Sequence, residues 1–149
     1  DRAALVRGIQ DGTIEVVATD HAPHSEAEKA KGLAGSAFGI VGLETAFPVL
    51  YTRLVLEDVL SLERLVELMS VGPGRLFGLG GTIAPGAPAD IAVFDLGARY
   101  RIESADFLSK GHATPFEGWE VQGRNVMTLV DGREVYRDAS LGGCGIVGA

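Results

Sequence analysis

The chain has 149 residues, of which 46% are hydrophobic and 22% charged, and its formal net charge at pH 7 is −7. This length suits one domain with a core of ordinary size, and the composition is that of a globular protein rather than a disordered one. The acidic charge argues against a nucleic-acid partner, and no apolar stretch approaches the roughly 18 residues that a membrane span requires.

The first predicted elements are a helix, a turn and a strand. Apolar residues at spacings that share one helix face predict that residues 1–10 are the end of a helix. Asp11-Gly12 predicts the turn that follows it. Residues 14–19, Ile-Glu-Val-Val-Ala-Thr, form an apolar, β-branched run. That run is typical of a buried parallel strand.

Side chains that can bind a metal or move a proton follow this predicted strand. Asp20, His21 and His24 come directly after it, and Pro23 stiffens the loop by fixing its φ angle. Polar groups at the end of a buried strand are where α/β folds place their chemistry. An isolated Asp-His pair is more often a cap or a turn former, so the pair alone leaves a structural role open. For His21 in particular, orienting the site by hydrogen bonding and a purely structural role are both open.

A surface loop and two helices are predicted next. Small and polar residues over 24–37 favour a mobile loop whose charges form a solvated face. Apolar spacing predicts a helix over 42–55, and Ser61 is predicted to be the N-cap of the next helix. The Gly-Pro-Gly sequence at 72–74 is expected to break the chain. The predicted buried stripe of the first helix consists of Leu43, Phe47, Leu50 and Leu54.

Beyond residue 80, glycine and proline separate short β-like runs. Asp131-Gly132 is a strong hairpin signal, because a type I′ turn needs positive φ at both central residues. The Gly-rich tail, residues 139–149, is expected to be disordered. The predicted strands are Asp90–Leu96, Tyr100–Ile102, Asn125–Val130 and Arg133–Arg137.

Four other residues have limited roles in this interpretation. Cys144 is the single cysteine, which rules out an internal disulfide and fits a reducing, cytoplasmic location. The first residues lack the pattern of a signal peptide. His112 is expected to be an ordinary loop histidine, and Phe116 and Trp119 to be packing anchors between the two parts of the chain.

The hexapeptide Thr19–His24, Thr-Asp-His-Ala-Pro-His, resembles the signature after the last barrel strand of the dihydroorotases. These are members of the amidohydrolase superfamily of metal-dependent TIM-barrel enzymes. The similarity continues through Phe38–Ala46, which is typical of the longer bacterial type. It is weaker at Gly86–Asp95, which is similar to a strand of the small β-sandwich beside the barrel, and it extends over residues 1–138.

The resemblance implies an α/β fold that is part of a larger one. Residues 1–79 would be the C-terminal end of a (β/α)8 TIM barrel, and residues 80–138 part of a β-sandwich. A complete barrel needs about 250 residues, so we expect a C-terminal portion that is inactive alone. An N-terminal barrel segment or a complementary chain would supply the other strands and most of the metal ligands, because the sequence contains no His-x-His motif.

The resemblance also implies roles for individual residues. Asp20 matches the family residue that binds one of two Zn²⁺ ions and acts as general base and then as general acid. His24 matches the position that contacts the substrate carboxylate, and Phe38 and Gly39 match a segment whose backbone lies against the substrate. Ala37 stands where the family usually has proline, which leaves this loop less rigid.

The activity implied is reversible hydrolysis of the cyclic amide of dihydroorotate to N-carbamoyl-aspartate in pyrimidine biosynthesis. A homodimer, or association with aspartate carbamoyltransferase, is the expected assembly. Two alternatives stay open. One is a hydantoinase, dihydropyrimidinase or allantoinase, which shares the barrel and the final aspartate but usually differs at Ala22-Pro23-His24. The other is a non-catalytic homologue that acts as a scaffold for a partner such as that carbamoyltransferase.

Overall fold

The computed structural model of the chain describes residues 1–79 and 82–141. Helices occupy the first range, and a three-stranded sheet is the main element of the second. The predicted mixed α/β class is therefore confirmed. Most of the predicted tail, Cys144 included, lies outside the described residues. Within the described part of the chain, no helix is both long and apolar enough to cross a bilayer.

Helix α1, Arg2–Asp11, confirms the first predicted element. Gly12 ends it with φ of 87°, a left-handed conformation that glycine adopts without steric cost. The chain then turns back, and the amide of Ile14 donates to the carbonyl of Gly8 over 2.8 Å. The predicted turn at Asp11-Gly12 is thus present.

The segment predicted as a strand, 14–19, is irregular rather than part of a sheet. Its backbone bonds to a helical segment instead: the amide of Val17 donates to the carbonyl of Leu68 over 3.0 Å. The guanidinium of Arg64 donates to the carbonyl of Ile14 over 3.0 Å. A strand needs a neighbouring strand to complete its ladder, and no strand of the described residues lies beside this one.

The predicted mobile loop at 24–37 is also wrong in part, because it contains two short helices. These are α2, Glu26–Lys29, and α3, Gly32–Gly35. The helix predicted over 42–55 begins later, as α4, Ala46–Leu50, which continues into a π-helical turn, Tyr51–Val55. Leu43 precedes it and its side chain is 66% exposed, so its place in the predicted buried stripe is wrong.

A continuous helical segment follows, and it contains the Gly-Pro-Gly sequence that was expected to break the chain. Helix α5, Leu62–Val66, is capped by Ser61 as predicted, and α6, Gly72–Phe77, begins after a π-helical turn, Glu67–Val71. The wider turn lets the helix pass the proline, whose ring would collide with a carbonyl in an ordinary α-turn.

The irregular segment, residues 14–19, packs against this helical segment at Gly72. A Cβ atom at Gly72 would lie 2.7 Å from the carbonyl oxygen of Glu67 and 2.9 Å from that of Glu15. Leu65 and Leu68, on the same helical segment, are completely buried. The close approach of the two backbones therefore requires glycine at position 72.

The sheet consists of β1, Ile91–Arg101, β2, Glu120–Val130, and β3, Arg133–Arg137. The strands are antiparallel and lie in the order β1-β2-β3. Asp131 and Gly132 have φ of 50° and 75°, which confirms the predicted hairpin.

Strand β1 unites two runs that were predicted as separate strands. Its register against β2 shifts between Val93 and Phe94, and again between Asp95 and Arg99. At the second shift, the Asp95 carboxylate accepts hydrogen bonds from the amides of Gly97 and Ala98. The intervening residues therefore bulge out of the ladder without ending the strand.

Aromatic side chains join the helices to the sheet. Phe47 of α4 stacks on Phe94 of β1, with ring centroids 3.9 Å apart, and on Tyr51. Gly123 of β2 has φ of 94°, and a Cβ atom there would lie 3.0 Å from the Tyr51 ring. The amide of Gln122 donates to the Thr52 hydroxyl over 2.9 Å. The two parts of the chain thus share one packed interface.

Substitution Gly72→Ala is expected to lower the free energy of unfolding by about 1–3 kcal/mol, because the added methyl group overlaps two carbonyl oxygens. Urea denaturation measures this change. Gly97→Ala is the matched control, since its Cβ atom would make only an ordinary contact, 3.4 Å from an Asp95 oxygen. Equal stabilities for the two variants would contradict the proposed close approach.

Candidate active site

Asp20 lies at the end of the irregular segment in an unusual backbone conformation. Its φ of 48° is in the left-handed region, which aspartate tolerates better than most residues. The residue is exposed, so ligands can reach its carboxylate oxygens. Residues in such conformations occur disproportionately at functional sites, where surrounding contacts hold them in place.

The described residues alone do not form a metal centre. In residues 1–79 and 82–141, no group of three or more His, Cys, Asp or Glu side chains is close enough to hold a metal ion. Asp20, His21 and His24 are neighbours in sequence but do not converge on one point. A single accessible carboxylate is a normal zinc ligand. Among these three residues, the structure gives Asp20 an accessible carboxylate and no second ligand beside it.

His21 contributes to the backbone structure of the site. Its Nδ1 atom accepts hydrogen bonds from the amides of Gly42, over 3.0 Å, and of Leu43, over 3.4 Å. An amide nitrogen can only donate, so Nδ1 carries the lone pair and the ring proton is on Nε2. These bonds hold the backbone at Gly42 and Leu43 and agree with both roles predicted for His21, orientation of the site and a structural role.

Residues 38–42, here called the 38–42 loop, lie against the residues that follow Asp20. His21 and Ile40 form an isolated parallel bridge, and the amide of Ala22 donates to the Ile40 carbonyl over 2.9 Å. Gly39 has φ of 123°, and a Cβ atom there would lie 2.5 Å from that of Ala22. In the structure, the close approach that Gly39 allows is to Ala22 of the same chain. Close approach of a substrate to Gly39 stays a prediction.

His24 and Phe38 are joined directly. The Nε2 atom of His24 donates to the carbonyl of Phe38 over 2.7 Å, while its Nδ1 atom is 4.0 Å from a carboxylate oxygen of Glu28. The side chain of Phe38 projects into solvent and is 93% exposed. The structure therefore brings together three of the four predicted site residues, His24, Phe38 and Gly39, in one surface cluster.

Lys29 also contacts this surface cluster, and no sequence pattern predicted that contact. Its Nζ atom donates to the carbonyls of Ala37 and Gly39, each over 2.9 Å, and its side chain is partly buried. The interpretation of all charges over 24–37 as a solvated face is wrong for this lysine. No periodicity or motif distinguishes it from Lys31, which is exposed.

Residues 108–113 cover the other side of the 38–42 loop. The carboxylate of Glu44 accepts hydrogen bonds from the amides of Leu108 and Ser109, over 2.9 and 3.0 Å. The amide of Val41 donates to the carbonyl of Ala113 over 3.0 Å. A Cβ atom at Gly111 would lie 2.9 Å from Pro23, so this segment packs closely on the residues after Asp20.

The remaining aromatic and histidine residues of this region make contacts within the chain. His112 is exposed and its Nδ1 atom bonds to the carbonyl of Ser104. Phe116 and Trp119 pack edge to face with centroids 5.2 Å apart. The guanidinium of Arg53, which follows α4, lies 4.9 Å from the centre of the Trp119 ring. Trp119 therefore contacts the helical part of the chain, as expected of a packing anchor.

Comparisons with known proteins identify similar sequences over nearly the whole chain. The model of the amidohydrolase family matches residues 1–135. The chain is 56% identical to a dihydroorotase of Lactiplantibacillus plantarum over 138 residues, which is 91% of this chain and 32% of that protein. It is 55% identical to a dihydroorotase of Bacillus caldolyticus over 137 residues, with the same two coverages. The chain thus spans about a third of the length of the curated relatives it matches.

Solved structures with a similar fold include hydantoinases. The D-hydantoinase of a Thermus species superposes with a TM-score of 0.87 at 30% identity, covering 100% of this chain and 33% of that one. The L-hydantoinase of Arthrobacter aurescens superposes with a TM-score of 0.80 at 35% identity, covering 88% and 30%. The described fold is thus found within larger hydrolase structures.

The capping box beside His24 generates a prediction about pH. The hydroxyl and the amide of Ser25 both donate to the Glu28 carboxylate, over 2.7 and 2.8 Å, and these bonds lower the pKa of Glu28. This contribution to stability is complete above the unfolded pKa and is lost as pH falls through the lowered folded pKa. In Ser25→Ala we expect the pKa of Glu28 to rise toward its ordinary value, as measured by NMR titration of the carboxyl carbon.

Ser36→Ala is the control for this titration. It removes a nearby hydroxyl that donates to the carbonyl of Lys29 rather than to Glu28. The pKa of Glu28 should be unchanged in this variant. An identical titration of Glu28 in Ser25→Ala and in the unaltered protein would show that the capping box is not formed.

Proposed function

Because the chain belongs to the amidohydrolase family, we propose that the protein containing it is a dihydroorotase. This enzyme reversibly hydrolyses the cyclic amide of dihydroorotate to N-carbamoyl-aspartate in de novo pyrimidine biosynthesis. The observation that carries the proposal is the identity of 56% to a named dihydroorotase over nine-tenths of the chain. The site residues Asp20, His24, Phe38 and Gly39 all lie within the matched range.

Asp20 is the residue to which we assign proton transfer. Hydrolysis of a cyclic amide requires that a water molecule lose a proton and that the departing nitrogen gain one. A single carboxylate can collect the first proton and deliver it to the nitrogen, acting as base and then as acid. The position of Asp20 in a motif within the range matched by the amidohydrolase family supports this role, and its exposure leaves the carboxylate accessible.

Substrate binding is assigned to the cluster around the 38–42 loop. We propose that His24 orients the substrate carboxylate and that the backbone of Phe38 and Gly39 lies against the ring. In the structure the Nε2 proton of His24 is directed to the Phe38 carbonyl. Imidazole and loop would therefore act as one unit, and a displacement of either would misplace the other.

Zinc is the metal that we propose for the complete site, with two ions, one of them bound by Asp20. Bound zinc lowers the pKa of a water molecule to about 7 and so supplies the nucleophile at neutral pH. One carboxylate fits such a site, and the other ligands would come from residues outside this chain. We accordingly propose that the fragment alone is inactive and needs an N-terminal barrel segment or a complementary chain.

The same proposal covers the arrangement of the larger protein. Residues 1–79 would complete a (β/α)8 barrel, and residues 80–138 would belong to the adjacent β-sandwich. The change from helices to strands after residue 90 supports this division. A cytoplasmic location, and assembly as a homodimer or with aspartate carbamoyltransferase, complete the hypothesis.

A hydantoinase, dihydropyrimidinase or allantoinase is the second candidate, and the similar solved structures favour it. Their identity to this chain, 30% and 35% for the two described above, is well below that of the dihydroorotases. A non-catalytic scaffold is the third candidate. The presence of both Asp20 and His24 argues against it, because a scaffold has no need of either.

Substitution Asp20→Asn in the full-length protein should reduce kcat by at least about a hundredfold, because the amide cannot accept the proton of the water molecule. Steady-state hydrolysis of dihydroorotate measures the loss, and circular dichroism checks the fold. Asp58→Asn is a matched control, since Asp58 is also an exposed aspartate with positive φ, of 56°. Near-normal turnover by Asp20→Asn would exclude the assignment.

A substrate panel distinguishes the candidates. The full-length protein should hydrolyse dihydroorotate in preference to hydantoin, dihydrouracil and allantoin, because the contact that we propose for His24 is with a carboxylate that these uncharged rings lack. Preference for an uncharged ring would favour the second candidate. No turnover, together with no stoichiometric zinc in elemental analysis, would favour the scaffold.

A further inference from the structure

We propose that Lys29 is a positioning residue whose ammonium group holds the 38–42 loop in its substrate-binding shape. This inference rests on the proposed function, because it gives Lys29 its effect through Phe38 and Gly39. The contacts of the Lys29 ammonium group are with the carbonyls of Ala37 and Gly39. Its role would be to fix the backbone on which the ring is bound.

The geometry around Phe38 supports this role. The carbonyls of three consecutive residues, Ala37, Phe38 and Gly39, all accept hydrogen bonds from side chains of the preceding segment. Lys29 serves the first and the third, and His24 the second. The side chain of Phe38 is 93% exposed, so the hydrogen bonds to these three carbonyls, rather than packing of the ring, hold this part of the loop.

Lys29 is itself held in place. It is the last residue of α2, a helix that begins with the capping box of Ser25 and Glu28. Its amide donates to the carbonyl of Ser25 over 3.1 Å, and its carbonyl accepts from the hydroxyl of Ser36 over 2.6 Å. A fixed backbone and a partly buried side chain reduce the entropy that the ammonium group loses when it bonds to the loop.

The role requires a side chain that can donate hydrogen bonds and is long enough to reach both carbonyls. An ammonium group presents three donors and can bond to two carbonyls at once, and hydrogen bonds to a charged group are stronger than neutral ones. Methionine has a similar length but no donor. In Lys29→Met the carbonyls of Ala37 and Gly39 would lose these partners, and the loop would no longer be confined to one shape.

The first test is steady-state kinetics of the full-length protein. Lys29→Met should raise KM for dihydroorotate about tenfold with kcat within about twofold, because the proposed loop contact would bind the ground and transition states equally. Lys29→Arg should restore part of the affinity, since a guanidinium can also donate to two carbonyls. Lys31→Met removes an exposed lysine of the same segment and should change neither constant.

The second test measures the loop without any turnover. The amides of Ala37 and Val41, which bond to the carbonyls of Glu28 and Ala113, should exchange with deuterium faster in Lys29→Met than in Lys31→Met. Chymotrypsin should also cleave after Phe38 more rapidly. Unchanged exchange and cleavage would overturn the inference, because Lys29 would then not hold the loop.

The two tests together separate this inference from the proposed function. Faster exchange with an unchanged KM would overturn the positioning role, because the loop would then not determine substrate affinity. If the unaltered protein hydrolyses no dihydroorotate, the proposed function fails and the positioning role fails with it. The exchange data would then still decide whether Lys29 holds the loop.

Discussion

The candidate site depends on the pairing of two short backbone segments, residues 21–22 and the 38–42 loop. The bridge between His21 and Ile40 and the bond from the amide of Ala22 fix their separation. The Nδ1 atom of His21 extends the pairing by accepting two further amides. Only glycine fits at position 39, because any side chain would overlap Ala22. Asp20 directly precedes this paired region. The residue that follows its left-handed backbone turn is therefore held in place.

Both parts of the chain stabilise this pairing, the second through the connection between β1 and β2. Lys29 binds the 38–42 loop from the helical part. Residues 108–113 cover it from the other, through Glu44 and through the contact of Gly111 with Pro23. A carboxylate that accepts two amides more than 60 residues away links the geometry of the loop to the fold of the whole chain.

Features set by local chemistry could be predicted from the sequence, and features set by distant contacts could not. The hairpin at Asp131-Gly132 and the cap at Ser61 depend on neighbouring residues alone. The helix through Gly72 was missed, since a π-helical turn before it accommodates a proline that the local rule treats as a break. In the site, a motif identified Asp20 and its neighbours. Lys29 was not found, because its role appears only when the loop folds back on it.

Strand β1 is one of the two outer strands of the described sheet, and its two register shifts have a consequence for this edge. A straight outer strand offers a regular row of amide and carbonyl groups to which a strand of another molecule can add. The bulge at Asp95 interrupts that row, because its carboxylate already binds the amides of Gly97 and Ala98. An irregular edge of this kind disfavours the edge-to-edge association that leads to aggregation.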